Sequence, residues 1–81
     1  MNYGEVWDAL VAAIREETSN PTAAVEPSMS ADNILGWDSL AHVRIVMNAE
    51  DRTGAVIDMS DTYKAATVGA LCDIIIKNIP K

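Results

Sequence analysis

Apolar residues recur at helical spacing in three stretches of this chain, and this pattern constrains the fold more than any other feature. Phe is absent and aromatic residues make up 5% of the chain, so the core has to be built from Leu, Ile, Val, Met and Ala side chains. With 81 residues, the chain is expected to form a single domain, residues 1–81. The predicted fold is an all-α bundle of four helices, three longer and one short, with a long loop between the first two.

The first helix is predicted over about residues 3–17. Asn2 is suited to cap it, and Glu5 follows three residues later, as in a capping box. Apolar residues then repeat on one helical face, including Leu10 and Ile14.

The connection that follows is longer than most loops in compact domains. Pro21 and Pro27 interrupt any helix here, and the loop is predicted to run to about Trp37, with a short helical turn around residues 30–33. Scattered apolar residues suggest that the loop packs on the bundle: Val25, Met29, Ile34 and Leu35.

The second helix is predicted to begin at Asp38 or Ser39 and to end at Gly54, a residue suited to the left-handed position after a helix. A short third helix, capped by Ser60 or Asp61, is expected to run to about residue 65. The apolar stripe of the second helix is Leu40, Val43, Val46 and Met47. The last helix, capped by Thr67, is expected to bury Val68, Leu71, Ile74, Ile75 and Ile79. The β-branched run at residues 74–76 would also suit a strand, but a lone strand would lack a partner, so a helix is predicted.

The net charge of the chain is −6, and residues 26–61 hold most of it, with seven acidic and two basic residues. This balance lacks the basic footprint of a nucleic-acid-binding protein and disfavours anionic membranes. The acidity is equally compatible with a basic patch on a partner protein and with simple solubility. The single cysteine excludes an internal disulfide. Neither a signal peptide nor a membrane-spanning run is visible, so we expect a cytoplasmic protein. We also expect the chain to be a monomer.

Ser39 lies at the start of the second helix, where free N–H groups and the positive end of the helix dipole meet. A phosphodiester formed on its hydroxyl would be stabilised there. Asp38, immediately before it, is suited to cap the same helix and to contribute a carboxylate beside the hydroxyl, so both residues are predicted to form the binding site.

Leu35-Gly36-Trp37-Asp38-Ser39-Leu40 resembles the attachment motif of acyl and peptidyl carrier proteins, and the resemblance extends over essentially the whole chain. It implies that a phosphopantetheinyl transferase moves phosphopantetheine from coenzyme A onto Ser39. It implies further that the arm holds a thioester, that a loading enzyme charges it, and that downstream synthases or transferases use it. The protein itself is expected to be a non-catalytic carrier. His42, Arg44 and Asn48 depart from the dense acidity common in this family and favour a dedicated carrier of a specialised polyketide, fatty-acid-related or nonribosomal pathway.

The same resemblance implies that partner enzymes contact the rim of the second helix and the connector after it. The residues concerned are Asp38, Leu40, Met47, Glu50, Asp51 and Ile57.

His42 lies three residues after Ser39, which raises the alternative of a Ser-His-Asp hydrolase. A small bundle offers little room for the orienting carboxylate, oxyanion hole and cleft of a hydrolase, so His42 is predicted to be a solvated surface residue. Cys72 and His42 cannot form a zinc site alone, and Cys72 is predicted to be a buried, inert thiol. Two further hypotheses stay open: an aminoacyl or peptidyl carrier loaded by an adenylating enzyme, and an unmodified helical interaction module.

Overall fold

The computed structural model describes residues 1–80 of the chain. Its elements are α1 (Tyr3–Glu17), a 3₁₀ turn (Ala31–Asn33), α2 (Ser39–Thr53), α3 (Met59–Thr62) and α4 (Val68–Lys77). Residues 1–80 contain no β-strand, so the predicted all-α bundle is confirmed. Across this described range, no helix is both long and apolar enough to cross a bilayer.

The ends of the longer helices follow the local signals in the sequence. Asn2 Oδ1 accepts a hydrogen bond from the Glu5 N–H at 2.9 Å, and Glu5 Oε1 accepts one from the Asn2 N–H at 3.1 Å, which completes a capping box. Gly54 ends α2 with φ of +77°, in the left-handed region that favours glycine. Thr67 Oγ1 accepts from the Ala70 N–H at 3.1 Å and caps α4. These predicted caps are confirmed.

The short helix α3 begins and ends earlier than predicted. Asp58 caps it, because Asp58 Oδ1 accepts hydrogen bonds from the Ser60 N–H at 3.0 Å and from the Ser60 hydroxyl at 2.8 Å. Ser60 and Asp61 therefore lie within the helix, and the prediction that one of them caps it is wrong. The helix ends at Thr62 rather than near residue 65.

The core lies where α1 faces α2 and α4. Burial of apolar surface in this seam contributes roughly 25 cal/mol per Å² and is the main force holding the helices together. Ile74 and Ile79 are only half-buried, in contrast to the prediction for α4. The fully buried large side chains of this seam include Val6, Leu10, Ile14, Ile45, Val46, Leu71 and Ile75.

The buried face of α2 is rotated relative to the predicted stripe. Val46 is buried and Val43 half-buried, but Leu40 and Met47 remain 60% and 55% exposed. The core-facing residues of α2 are Ala41, Ile45, Val46, Ala49 and Thr53. Since successive residues of a helix turn by about 100°, Leu40 and Met47 share one line on the opposite side of α2 from that face.

The long loop is pinned to the start of α4. The Val68 N–H donates to the Met29 carbonyl at 2.8 Å, and the Gly69 N–H donates to the Pro27 carbonyl at 2.9 Å. These bonds satisfy N–H groups that the first turn of a helix leaves unpaired. Three of the predicted loop contacts are present, since Ile34 is buried and Val25 and Met29 pack against the core. The prediction for Leu35 is wrong, because Leu35 is 86% exposed.

Candidate functional site

Ser39 is the first residue of α2, and its hydroxyl is exposed. Asp38, in an extended conformation, caps the helix: its Oδ1 accepts from the Ala41 N–H at 2.8 Å. The Asp38 carbonyl accepts from the His42 N–H at 2.9 Å, which closes the first turn. The serine side chain is thus held at the mouth of a capped helix and makes no hydrogen bond to any other group of residues 1–80.

The backbone around Ser39 is suited to an anion. Asp38 satisfies the Ala41 N–H, but the N–H groups of Ser39 and Leu40 have no acceptor among the described residues. Such unpaired donors carry the positive end of the helix dipole. The site therefore fits a phosphodiester on the Ser39 hydroxyl, since the phosphate oxygens would lie beside these donors.

Gly36 lies in the loop that leads to Ser39, and its backbone conformation sets the path of this loop. Its φ is +90°, and a Cβ at this position would lie 3.1 Å from the Thr18 carbonyl oxygen. The loop before α2 therefore passes close to the end of α1 in a backbone conformation that other residues adopt at a cost.

Replacing Gly36 with alanine is expected to lower the free energy of unfolding by about 1–2 kcal/mol, from the left-handed backbone and the crowding at Thr18. Gly4→Ala is the matched control, because the nearest atom to its added Cβ is Asn2 Oδ1, at an ordinary 3.5 Å. The control is expected to leave stability unchanged or to raise it by up to about 1 kcal/mol. Urea denaturation of both variants measures the difference, and equal stability of the two would refute the constraint at Gly36.

His42 is not the solvated surface residue that was predicted. It is half-buried, with Nδ1 accepting a hydrogen bond from Trp37 Nε1–H at 3.2 Å and Nε2 lying 2.8 Å from Thr62 Oγ1. Its ring stacks on Tyr63 with centroids 4.5 Å apart. Burial lowers the pKa of His42 from its ordinary value. Both ring nitrogens are thus engaged away from Ser39, so the geometry gives no support to a Ser-His-Asp arrangement.

A cavity of about 190 Å³ opens beside this histidine. It lies among the 3₁₀ turn, the start of α2, the end of α3 and the start of α4. Trp37, two residues before Ser39, forms part of its wall. The lining residues are Ala31, Trp37, His42, Thr62, Tyr63, Ala65, Ala66, Thr67, Val68 and Leu71.

The residues predicted to contact partners divide into two groups. Leu40, Met47 and Asp51 are exposed, and their spacing of seven and four residues puts them on one line of α2, facing away from the core. Arg44 is exposed on the same line. This line therefore carries a basic residue beside the acidic Asp51, whereas acidic residues predominate in residues 26–61. Asp38 is exposed at the start of the helix.

Glu50 and Ile57 form the second group and are half-buried. Glu50 Oε2 accepts from the Ile57 N–H at 3.0 Å, which ties the connector before α3 to α2. Ile57 also packs against the core. Both residues therefore have a structural role that the sequence prediction did not include.

Cys72 is fully buried in the core, as predicted. Burial raises the pKa of its thiol, which reduces the thiolate fraction at neutral pH.

Two features of the site were missed from the sequence. Leu35 and Val56 are exposed large apolar residues, 86% and 73% accessible, near the two ends of α2. The cluster of Trp37, His42 and Thr62 was also missed, because Thr62 lies 20 positions after His42 and no local spacing connects them. The one available signal was the five-residue separation of Trp37 and His42 across a helix start.

Comparison with known proteins places the chain in a family. The family model described as the phosphopantetheine attachment site matches residues 8–75. The acyl carrier protein of Myxococcus xanthus is 35% identical over 71 residues, covering 88% of this chain and 90% of that protein. The acyl carrier protein of Micrococcus luteus is 35% identical over 71 residues, covering 88% of each chain.

A third relative, the acyl carrier protein of Acidothermus cellulolyticus, is 34% identical over 71 residues, covering 88% of this chain and 84% of that protein. No solved structure matched the chain. The family model and these relatives extend over most of the helical bundle described above. The chain therefore belongs to the acyl carrier protein family, whose members are carriers with covalently attached phosphopantetheine.

Proposed function

We propose that Ser39 is the attachment residue for phosphopantetheine and that this protein delivers acyl groups between enzymes of a specialised biosynthetic pathway. The observation that carries the proposal is the exposed Ser39 hydroxyl beside two unpaired N–H groups at the start of α2. When bound, phosphopantetheine supplies a terminal thiol that holds an acyl group as a thioester. The chain itself acts as a non-catalytic carrier.

Attachment requires the Ser39 hydroxyl to act as a nucleophile toward coenzyme A. Its oxygen forms a bond to phosphorus, the phosphoanhydride bond of coenzyme A breaks, and the nucleotide half leaves. Among residues 1–80 no side chain forms a hydrogen bond with the Ser39 hydroxyl, and both ring nitrogens of His42 are engaged with Trp37 and Thr62. We therefore expect the base to come from a phosphopantetheinyl transferase, which is the first expected partner.

The role of this chain's own residues is to hold the modified serine in place. The helix start presents N–H donors to the phosphate, and Asp38 keeps the first turn closed through its bond to Ala41.

An acyl cargo is favoured over an aminoacyl or peptidyl cargo, because the relatives that match the chain are acyl carrier proteins. The attachment motif serves both classes. Offering the protein that carries phosphopantetheine to acyl-transferring enzymes and to adenylating enzymes distinguishes the two cargo classes.

The test of the proposed attachment is intact mass after incubation with coenzyme A and a broad-range phosphopantetheinyl transferase. We expect the wild-type chain to gain the mass of one phosphopantetheine. A chain that stays unmodified under conditions that load a known carrier would point instead to an unmodified helical interaction module.

We further propose that partner enzymes dock on the exposed line of α2 formed by Leu40, Met47 and Asp51, with Asp38 at its start and with Glu50 and Ile57 at its far end. The apolar pair offers contact area, and the acidic residues attract a basic patch on the partner. Such a mixed surface suits an encounter that has to end after each transfer.

Reversing the charge of Asp51 is expected to slow association with the transferase severalfold at low salt and much less at high salt, because salt screens exposed charges. Asp51→Lys is preferred over a change at Glu50, which holds the Ile57 N–H. Asp8→Lys, an equal charge change at an exposed residue of α1, is the matched control. Stopped-flow association rates at two salt concentrations give the result, and an Asp51→Lys rate no slower than that of Asp8→Lys would rule out steering from this face.

A further inference from the structure

The side chains of Trp37, His42 and Thr62 form a directional chain of hydrogen bonds across the cavity wall. Trp37 Nε1–H can only donate, so His42 Nδ1 has to accept at 3.2 Å. The Thr62 hydroxyl donates to the Met59 carbonyl at 2.6 Å and is left with an acceptor for His42 Nε2 at 2.8 Å. These roles are mutually consistent for one state of the ring, the neutral tautomer with its proton on Nε2.

Adding a second proton disrupts one end of this chain. The new proton would sit on Nδ1, where it would face the N–H of Trp37, and two donors cannot bond to each other. The bond from Nε2 to Thr62 is compatible with either state. Protonation therefore releases Trp37 and leaves His42 attached to α3.

We propose that His42 is the positioning residue of a pH-sensitive latch: in its neutral state it ties Trp37, in the loop before Ser39, to Thr62 on α3, and protonation releases Trp37. Thr62 is 1% exposed, so the fixed end of the latch is anchored in the bundle. Trp37 is half-buried and lines the cavity, so its release loosens one wall of that cavity and the chain entering α2. The latch does not depend on modification of Ser39.

No charged side chain among the described residues bonds to the His42 ring, so the effect of its protonation is expected to act through the hydrogen bond to Trp37. Tyr63 is the titratable residue that touches the ring. Asp38 follows Trp37 in the chain, and Asp61 and Lys64 flank the α3 contact, where they pair with each other at 3.4 Å. No carboxylate or ammonium group of residues 1–80 forms a hydrogen bond or ion pair with the imidazole. The residues that line the cavity from the 3₁₀ turn and α4 carry no charge: Ala31, Val68 and Leu71.

The direction of the pH effect follows from burial. Burial lowers the pKa of His42 below 6.5, its ordinary value, so the folded chain binds this proton less readily than the unfolded chain. The stability that the neutral contact contributes is fully present above about pH 6.5 and is lost as the pH falls through the lower, folded-state pKa. The latch is therefore closed at neutral pH and opens below pH 6.5, as the ring takes up its second proton.

The test is nitrogen-15 NMR of the whole chain through a pH titration. His42 is the only histidine, so its ring signals need no deconvolution, and Trp7 provides an indole that should not respond. We expect Nε2 to carry the proton at neutral pH and the Trp37 indole N–H signal to shift with the same midpoint as the His42 ring. A neutral ring with its proton on Nδ1, or a Trp37 signal indifferent to His42 titration, would overturn the latch.

A substitution separates the latch from mere packing. Trp37→Phe keeps an aromatic ring but removes the donor to His42, so the pKa of His42 is expected to rise, with proton affinity increasing about twofold to tenfold. Trp7→Phe, the matched control, is expected to leave it unchanged. Equal His42 midpoints in the two variants would overturn the proposal. If Trp37→Phe fails to fold, the tautomer and the linked titration of the wild-type chain still decide it.

Discussion

Replacing Ser39 with alanine is expected to abolish phosphopantetheine loading completely while the bundle stays folded. The substitution removes the oxygen that would bond to phosphorus, and no other atom of residue 39 can replace it. The Ser39 hydroxyl is exposed and makes no hydrogen bond within residues 1–80, so the free energy of unfolding is expected to change by less than about 0.5 kcal/mol. Intact mass gives the loading, and circular dichroism during thermal melting gives the stability.

Ser28→Ala is the matched control for this prediction. Ser28 is an exposed serine of the long loop, and it lies outside any helix start. We expect this variant to load as completely as the wild-type chain. Loading of Ser39→Ala, or failure of Ser28→Ala to load, would show that the attachment residue is not Ser39.

The second large effect is expected from shortening a leucine in the seam between α1 and its neighbours. Leu10 is fully buried, so Leu10→Ala loses apolar burial and leaves a cavity, which costs about 2–5 kcal/mol. A domain of this size has a total stability of about 5–15 kcal/mol, so this loss is a large fraction of it. Urea denaturation followed by circular dichroism measures the change.

Leu40→Ala makes the same chemical change on α2, where the side chain is 60% exposed. Its cost in stability is expected to stay below about 1 kcal/mol. The same variant is expected to weaken docking to the transferase, so its defect would appear in association and not in folding. Equal destabilisation by the two leucine substitutions would contradict the assigned orientation of α2.

The helix ends could be predicted because their causes are local. Asn2 with Glu5, Gly54 and Thr67 each act within a few residues, and the hydrogen bonds or backbone angles expected from them are present. The start of α2 at Ser39 follows from Asp38 in the same way. The position of the candidate attachment residue at the start of a helix could therefore be predicted from the sequence.

The rotation of α2 could not be predicted in the same way. Leu40 and Met47 are more apolar than Ala41 and Ala49, so apolar periodicity alone placed them in one stripe with Val46, and only the family resemblance pointed to their exposure at the rim. Both alanines belong to the buried core, where a small side chain is sufficient because the helices pack closely. That choice depends on the partner helix rather than on α2 itself.

The contacts of His42 show the same limit at longer range. The sequence placed it near Ser39 on one helix and suggested a solvated residue. Its actual partners are Trp37 in the preceding loop and Thr62 on α3, which the fold brings together. The early start of α3 at Met59, which follows from capping by Asp58, helps to bring Thr62 to this position.

Fragment mass spectrometry of the protein purified from the cells that make it tests most directly whether the hydroxyl at the mouth of α2 carries the arm. We expect phosphopantetheine, with or without its acyl group, on the peptide that contains Ser39 and on that residue alone. An arm attached at any other residue, or a purified chain that never carries one, would contradict the central claim.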